Sequence, residues 1–187
     1  AGAASAGELL VYSSTDADNL KYYMDNFQKD NPDIKVKVVR ESTGTMAAKM
    51  MAEKDNPQAD VLFEMAATVA LNMETQGMFH PYTPKGMDKI DQRYVDKEGE
   101  VNWVGNYGWA GCICWNTVEA KKLGLPKPKS WADLTNPVYK GLISMPNPNS
   151  SGTGFLDVSS WIQVMGEDAA WKYMDALHKN VGVYTHS

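Results

Sequence analysis

The 187-residue chain lacks the features of several specialised protein classes. Its 18 Lys and Arg residues are outnumbered by 23 Asp and Glu residues, which gives a net charge of -5. No basic field is therefore present to hold a nucleic-acid backbone. No apolar run approaches the roughly 20 residues that a membrane helix needs, and no basic start with an apolar centre marks a signal peptide. The opening Ala1 to Gly7 is small and featureless, as in a mature N-terminus or an added remnant, and it hints at export.

The common catalytic motifs are also missing from the sequence. There is no Gly-x-x-x-x-Gly-Lys phosphate loop and no His-Glu-x-x-His zinc motif, and Ser151 to Gly154 lacks the Gly-x-Ser-x-Gly order of a serine hydrolase. A phosphatase that uses Ser14 or Asp16 stays open as an alternative, although no paired base or metal cluster accompanies them. The sequence therefore predicts a protein that is not an enzyme and needs no cofactor.

The chain contains two cysteines, Cys112 and Cys114. In a strand this pair points to one face, so a bridge between the two would be strained. Two thiols without nearby histidines make a poor metal site. We predict two buried thiols, and pairing with a cysteine beyond this chain stays open.

The first third of the chain alternates strand patterns with helix patterns. Three short segments read as buried or β-branched strands, namely Glu8–Ser13, Ile34–Arg40 and Asp60–Phe63. Each is followed by apolar residues at helical spacing, for example Leu20 and Phe27 after the first strand. The strand, helix, strand order predicts right-handed crossovers and a mostly parallel sheet.

Polar corners follow all three of these predicted strands. They are Ser13 to Asp16, Glu41 to Thr45, and Glu64. Ligands of open parallel sheets bind beyond the carboxyl ends of the strands, at the switch in strand order. The corners are therefore candidates for one binding site.

The alternation of strand and helix patterns stops after His80 to Pro84. We predict two lobes, residues 1–104 and 105–187. Val101 to Val104 and Trp109 to Trp115 read as strands around this crossover. Beyond them the patterns predict a helix from Thr117 to Leu123 and a short helix from Trp131 to Leu134. A second strand and helix system then runs to the end of the chain.

The stretch from Met145 to Phe155 is a corner between a predicted strand and a predicted helix in the second lobe, and it contains several serines and glycines. Its two prolines keep the backbone extended, and Ser150 and Ser151 are candidate N-caps of the helix that follows. Gly152 and Gly154 allow a guest to approach the first helical turn closely. A helix N-terminus with several hydroxyls is suited to a small anion. An ordinary cap, with hydroxyls that satisfy only their own helix, is the alternative interpretation.

These motifs together resemble a known family. The quoted segments are Ser13-Ser14-Thr15, Ser42-Thr43-Gly44, Ala59-Asp60-Val61, Trp131-Ala132-Asp133-Leu134, Pro137-Val138-Tyr139-Lys140-Gly141 and Ser150-Ser151-Gly152-Thr153-Gly154. In this order they are similar to a type II periplasmic substrate-binding protein of an ABC importer. Within that class the chain resembles the branch of ferric-iron, 2-aminoethylphosphonate and sugar-phosphate binders. The resemblance covers most of residues 8 to 187.

The resemblance implies a two-lobed α/β fold with mostly parallel sheets, located in the periplasm or otherwise outside the cytoplasm. It also implies a membrane permease as partner, without membrane insertion of this protein itself. In the family the chain returns to the first lobe to finish its sheet. We therefore expect that the C-terminal part is missing here and that the second lobe is incomplete.

For the ligand, the resemblance and the hydroxyl-rich corners together favour a small phosphorus-containing anion, with 2-aminoethylphosphonate preferred. Glu64 is assigned to a ligand amine, Trp109 to the wall of the site and His186 to a supporting role. The candidate ligand-binding residues are Ser14, Thr15, Thr43, Gly44, Glu64, Trp109, Ser150, Ser151, Thr153 and His186.

Each assignment has an open alternative. Glu64 can bind backbone N–H groups or a lysine, and Tyr107 and Trp109 can belong to the core. A ferric-iron binder is the rival within the family. The first corner lacks the histidine that many iron binders carry there, which favours the phosphorus-containing anion.

Overall fold

A computed structural model describes residues 7–97 and 99–187, and the chain forms two compact units, Ala1–Gly108 and Trp109–Ser187. Residues 105–108, which we had placed with the second lobe, belong to the first unit. The reason lies in two hydrogen bonds. The Gly105 N–H donates to the backbone oxygen of Tyr94 over 2.6 Å, and the Asn106 side chain donates to Glu64.

The first unit contains a three-stranded parallel sheet, as predicted. Its strands are β1 (Gly7–Ser13), β2 (Ile34–Arg40) and β3 (Val61–Phe63), in the order β2-β1-β3. The register runs from Gly7 opposite Ile34 to Ser13 opposite Arg40, and Ser13 also lies opposite Phe63. The last residues of all three strands therefore share one edge of the sheet.

Three helices follow these strands, α1 (Ala17–Asp30), α2 (Thr43–Ala52) and α3 (Ala67–Glu74). Each helix turns one apolar residue fully or almost fully inward, and these are Leu20, Met46 and Met73. Met46 is completely buried, and truncating such a side chain to alanine typically costs about 2–5 kcal/mol of stability. Met46 and Met73 thus contribute to the interior of the first unit.

The segment between α3 and the second unit differs from our prediction. It contains two 3₁₀ turns, Met87–Lys89 and Gln92–Tyr94, and an isolated antiparallel bridge between Val95 and Val104. The predicted strands at 101–104 and 109–115 are wrong, since neither segment forms a ladder in the part of the chain that the structure describes. A strand needs a neighbouring backbone to pair with, and residue alternation does not provide that neighbour.

The second unit pairs two parallel strands with two long helices. After α4 (Thr117–Leu123) come 3₁₀ turns at Ala132–Thr135 and Pro137–Tyr139. The remaining elements are β4 (Ile143–Pro146), α5 (Gly152–Met165), α6 (Glu167–His178) and β5 (Val181–Thr185). β4 pairs with β5. The core consists of Leu134, Trp161, Ala170 and Leu177.

Asn180, which is buried just before β5, connects three segments of this unit. Its side-chain amide donates to the backbone oxygens of Leu134 and Asn136, both over 2.8 Å. Its own backbone oxygen accepts from the Gly141 N–H over 2.9 Å. A single buried asparagine therefore satisfies backbone groups that would otherwise lose water on folding.

The two cysteines are free, as predicted, but the prediction that they are buried is wrong. Cys112 and Cys114 are both exposed. The intervening Ile113 packs against the core of the second unit, so the alternation of the segment places the cysteines on the other side.

None of the helices in residues 7–97 and 99–187 combines the length and the apolar character that a bilayer crossing requires.

Candidate ligand-binding site

The predicted corners of the first unit meet at one edge of its sheet. Parallel strands in register bring their carboxyl ends together, and Ser13, Arg40 and Phe63 are register partners at that edge. The residues that follow them, at Ser14 and Glu64 among others, therefore share a small region.

A chain of hydrogen bonds joins three of the predicted site residues. The Thr43 hydroxyl donates to the Ser14 hydroxyl over 3.2 Å. The Ser14 hydroxyl in turn donates to the backbone oxygen of Glu64 over 3.1 Å, and the Ser14 N–H reaches the same oxygen at 3.4 Å. Each residue follows a different strand, so the chain ties the three strand ends together.

Thr15 is also located at this edge and is buried. Its N–H donates to the Ser13 hydroxyl over 3.2 Å, and its backbone oxygen accepts from Arg40 Nε over 2.6 Å. Arg40 also lies 4.0 Å from the Asp16 carboxylate. Arg40 is not among the residues predicted from the sequence, although its position as the last residue of a strand that ends in a polar corner was an available signal.

The three helices at this edge begin without a side-chain cap. The N-cap residues of α1, α2 and α3 are Asp16, Ser42 and Ala66, and none of them makes a cap hydrogen bond through its side chain. First-turn N–H groups carry a partial positive charge, which favours anions. Gly44, which has no side chain, is in the first turn of α2.

Glu64 has a left-handed backbone, with φ of 55°, the only positive φ of a non-glycine residue in the described part of the chain. Its carboxylate accepts a hydrogen bond of 2.6 Å from the Asn106 side chain. We had considered backbone N–H groups or a lysine as partners, and the structure instead provides an amide. Asn106 was missed because its Gly-Asn-Tyr-Gly context reads as a turn.

The second unit presents the corner between β4 and α5. Ser151 is the N-cap of α5, and its buried hydroxyl accepts from the Gly154 N–H over 3.4 Å. The Ser150 hydroxyl donates to the backbone oxygen of His186 over 2.6 Å. The structure thus brings Ser150 and His186 together, while Thr153 is exposed in the first turn of α5.

Gly154 permits a close approach, but the group that comes close is the backbone at 146–148 and not a ligand. A Cβ atom at this position would lie 2.6 Å from the backbone oxygen of Pro146 and 2.9 Å from Pro148 N. The first turn of α5 therefore packs directly on its own entry loop, which fixes the position of Ser151.

The two aromatic candidates are more exposed than core residues would be. Trp109 is 40% exposed and Tyr107 is 54% exposed. The alternative that they belong to the core is therefore not what the structure shows.

Asp157 of α5 is a carboxyl group with a shifted pKa in the second unit. Its half-buried position raises its pKa, because burial penalises the charged form. Burial, together with the Asp157 charge, raises the pKa of Tyr173 to about 12. The Tyr173 hydroxyl and Trp161 Nε1 are buried without a hydrogen-bond partner among the described residues.

The described residues contain no group of three or more His, Cys, Asp or Glu side chains that could together hold a metal ion. The corners of the first unit combine hydroxyls, amides and backbone donors with the charged side chains of Asp16, Arg40, Glu41 and Glu64.

Comparison with known proteins gives one family model that matches residues 56–185, described as bacterial extracellular solute-binding protein. A solved structure with a similar fold is that of the periplasmic binding protein AfuA from Actinobacillus pleuropneumoniae, with exogenous fructose-6-phosphate bound. It is 33% identical, with a TM-score of 0.84, and the match covers 97% of this chain and 57% of that one.

Two curated relatives match as well. A Haemophilus influenzae protein of uncharacterised role is 32% identical over 98% of this chain and 51% of its own length. A probable ABC transporter periplasmic-binding protein of Sinorhizobium fredii is 26% identical over 76% of this chain and 40% of its own length. The chain thus spans about half the length of the curated relatives that it matches.

Proposed function

Since the chain belongs to the family of bacterial extracellular solute-binding proteins, we propose that it captures a small phosphorus-containing anion for an ABC transporter. The favoured ligand is 2-aminoethylphosphonate, within the wider class of organophosphonates and phosphate esters. The protein works outside the cytoplasm, closes its lobes on the ligand, delivers it to a membrane permease and does not turn it over.

The observation that carries this proposal is the hydroxyl chain from Thr43 through Ser14 to the backbone of Glu64, beside helix ends that lack side-chain caps. When the Thr43 and Ser14 hydroxyls rotate away from these internal acceptors, they and the first-turn N–H groups can surround a phosphate or phosphonate with hydrogen bonds. They do so without a permanent ion pair, so the ligand can leave again. The fructose-6-phosphate held by AfuA supports the class of ligand, because that relative is 33% identical.

Glu64 supports an amine at the other end of the ligand. One carboxylate oxygen accepts from Asn106, which fixes the orientation of the group while other lone pairs remain for an ammonium. A partly buried carboxylate gains stability from such a cation. This feature favours 2-aminoethylphosphonate over inorganic phosphate.

In the second unit we assign Ser151 and Thr153 to the anion, and His186 to a supporting role. The Ser151 oxygen accepts from its own helix, but its hydroxyl hydrogen remains available to donate. Ser150 is assigned to the ligand as well, through rotation of the hydroxyl that here donates to the His186 backbone oxygen.

Thermal melting against four compounds tests the proposal: 2-aminoethylphosphonate, glucose 6-phosphate, inorganic phosphate and ferric citrate. A ligand present at about one hundred times its dissociation constant stabilises the folded state by roughly 2.7 kcal/mol. We expect a clear rise of the melting temperature with 2-aminoethylphosphonate and a smaller rise with inorganic phosphate, which lacks the amine.

Other outcomes would count against the proposal. A shift with ferric citrate alone would identify an iron binder, and release of phosphate from glucose 6-phosphate would identify a hydrolase. If no phosphorus compound shifts the melting temperature of this chain or of a version extended to the length of its relatives, the proposed ligand class is wrong.

A further inference from the structure

The segment from Gly111 to Trp115 presents two thiols on one side. Ile113 packs against the core of the second unit, and the Trp115 ring meets Tyr139 edge-to-face at 6.3 Å. Cys112 and Cys114 alternate with these residues, and both are free and exposed. Exposure alternates along the segment, so the two thiols lie two positions apart on the side that faces away from the core.

The spacing of the two thiols disfavours a direct disulfide. Where a chain is extended, residues two positions apart have Cα atoms separated by about 6.6 Å. A disulfide needs Cβ atoms only about 3.8 Å apart, so a bridge would force the backbone to bend. One atom placed between the sulfurs eases this conflict, because two metal–sulfur bonds of about 2.3 Å each let the sulfurs lie up to about 4.6 Å apart, compared with about 2.0 Å in a disulfide.

We propose that Cys112 and Cys114 form a bidentate site for a thiophilic centre that takes two sulfur ligands, such as cuprous ion or trivalent arsenic. Soft thiolate ligands select such centres. The site does not provide the ligands for a metal that requires three or four protein side chains, since the described residues contain no group of three or more His, Cys, Asp or Glu that could hold a metal ion. The proposed site uses none of the hydroxyl-corner residues and does not depend on the proposed anion ligand.

Phenylarsine oxide is a suitable probe, because its arsenic can bind two thiols at once. The arsenic–oxygen bonds break and two arsenic–sulfur bonds form, while the oxygen leaves as water with the two thiol protons. Arsenic remains trivalent, so no oxidant or reductant is consumed.

The experiment compares the wild-type chain with Cys112→Ser and Cys114→Ser by native mass spectrometry and by titration of free thiols. We expect one arsenical per wild-type chain, retained against a monothiol and removed by a dithiol. Each single substitution should lower the apparent affinity at least tenfold, because the second sulfur adds an intramolecular bond. Melting temperatures of the variants should match the wild type, since both side chains are exposed.

Three results would overturn the proposal. They are wild-type affinity in either single variant, two arsenicals bound per wild-type chain, and a native protein that carries an internal disulfide instead of two free thiols. Alkylation of the wild-type protein provides a check that needs no substitution, because the blocked chain should take up no arsenical.

Discussion

The Asn106 side chain donates a hydrogen bond of 2.6 Å to the carboxylate of Glu64, a residue 42 positions earlier that has a left-handed backbone. This backbone conformation costs a non-glycine residue roughly 1–2 kcal/mol, and such costs concentrate at functional sites. Asn106, in the turn at 105–108, therefore orients the Glu64 carboxylate, and the left-handed backbone at Glu64 is energetically unfavourable.

The strain at Glu64 can be measured. In an Asn106→Ala background the side-chain hydrogen bond to Glu64 is already absent. The difference in stability between Glu64→Gly and Glu64→Ala then measures the cost of the left-handed backbone at residue 64. We expect Glu64→Gly to be about 1 kcal/mol more stable than Glu64→Ala in this background, by urea denaturation. Equal stabilities of the glycine and alanine variants would show that residue 64 does not hold a left-handed conformation in solution.

Removal of the paired hydroxyls should weaken anion binding. Ser14→Ala and Thr43→Val should each reduce the affinity for 2-aminoethylphosphonate about tenfold, as expected when one hydrogen bond to an anion is lost. The double variant should lose less than the product of the two effects, because the hydroxyls contact each other.

Isothermal titration calorimetry gives these affinities directly. Ser159→Ala is the matched control, since its hydroxyl donates to Phe155 within α5 and should leave affinity unchanged. If Ser14→Ala and Thr43→Val bind like this control, the two hydroxyls do not contact the ligand.

Gly154 should tolerate no side chain. Gly154→Ala places a Cβ atom against backbone atoms of Pro146 and Pro148, which cannot move independently, so we expect a loss of about 1–3 kcal/mol in the free energy of unfolding. Gly108→Ala is the control, because nothing lies within 4 Å of its added Cβ. Two equally mild variants would mean that the corner before α5 is looser than described.

Asp157 should make stability depend on pH in a defined direction. Its folded pKa is raised above the ordinary 3.8 by burial, so the folded state binds a proton more readily than the unfolded state. Its contribution to stability is full below pH 3.8 and is lost as pH rises through the folded pKa. Asp157→Asn should therefore gain stability relative to the wild type over this rise.

Urea denaturation of both proteins from about pH 3.5 to about pH 7 tests this dependence. The difference between Asp157→Asn and the wild type should grow with pH and then level off. A difference that stays constant, or that shrinks as pH rises, would contradict the proposed effect of burial.

Much of the fold could be predicted from the sequence, because short-range patterns determine it. The β-branched alternation of Ile34–Arg40 and the helix Thr117–Leu123 match the structure at both ends. The segments at 101–104 and 109–115 show a similar pattern but lack a ladder, since pairing depends on a distant neighbour. The exposure of Cys112 likewise depends on which side of the segment meets the core.

The candidate site divides in the same way. The shared edge of Ser14, Thr43 and Glu64 follows from parallel topology, and three strands with polar ends were enough to predict it. Asn106 and Arg40 were missed because their roles arise from contacts to residues 42 and 25 positions away. No local pattern encodes such pairs.

Asn180 has a consequence for the order of folding. Its amide holds backbone oxygens that lie 46 and 44 residues earlier in the chain. The entropy of closing so long a loop must be overcome before these bonds contribute, and non-local contacts of this kind slow folding. The turns around Leu134 and Asn136 should therefore reach their final form only after α6 has docked, so late protection of their amide hydrogens from exchange is the expected kinetic signature.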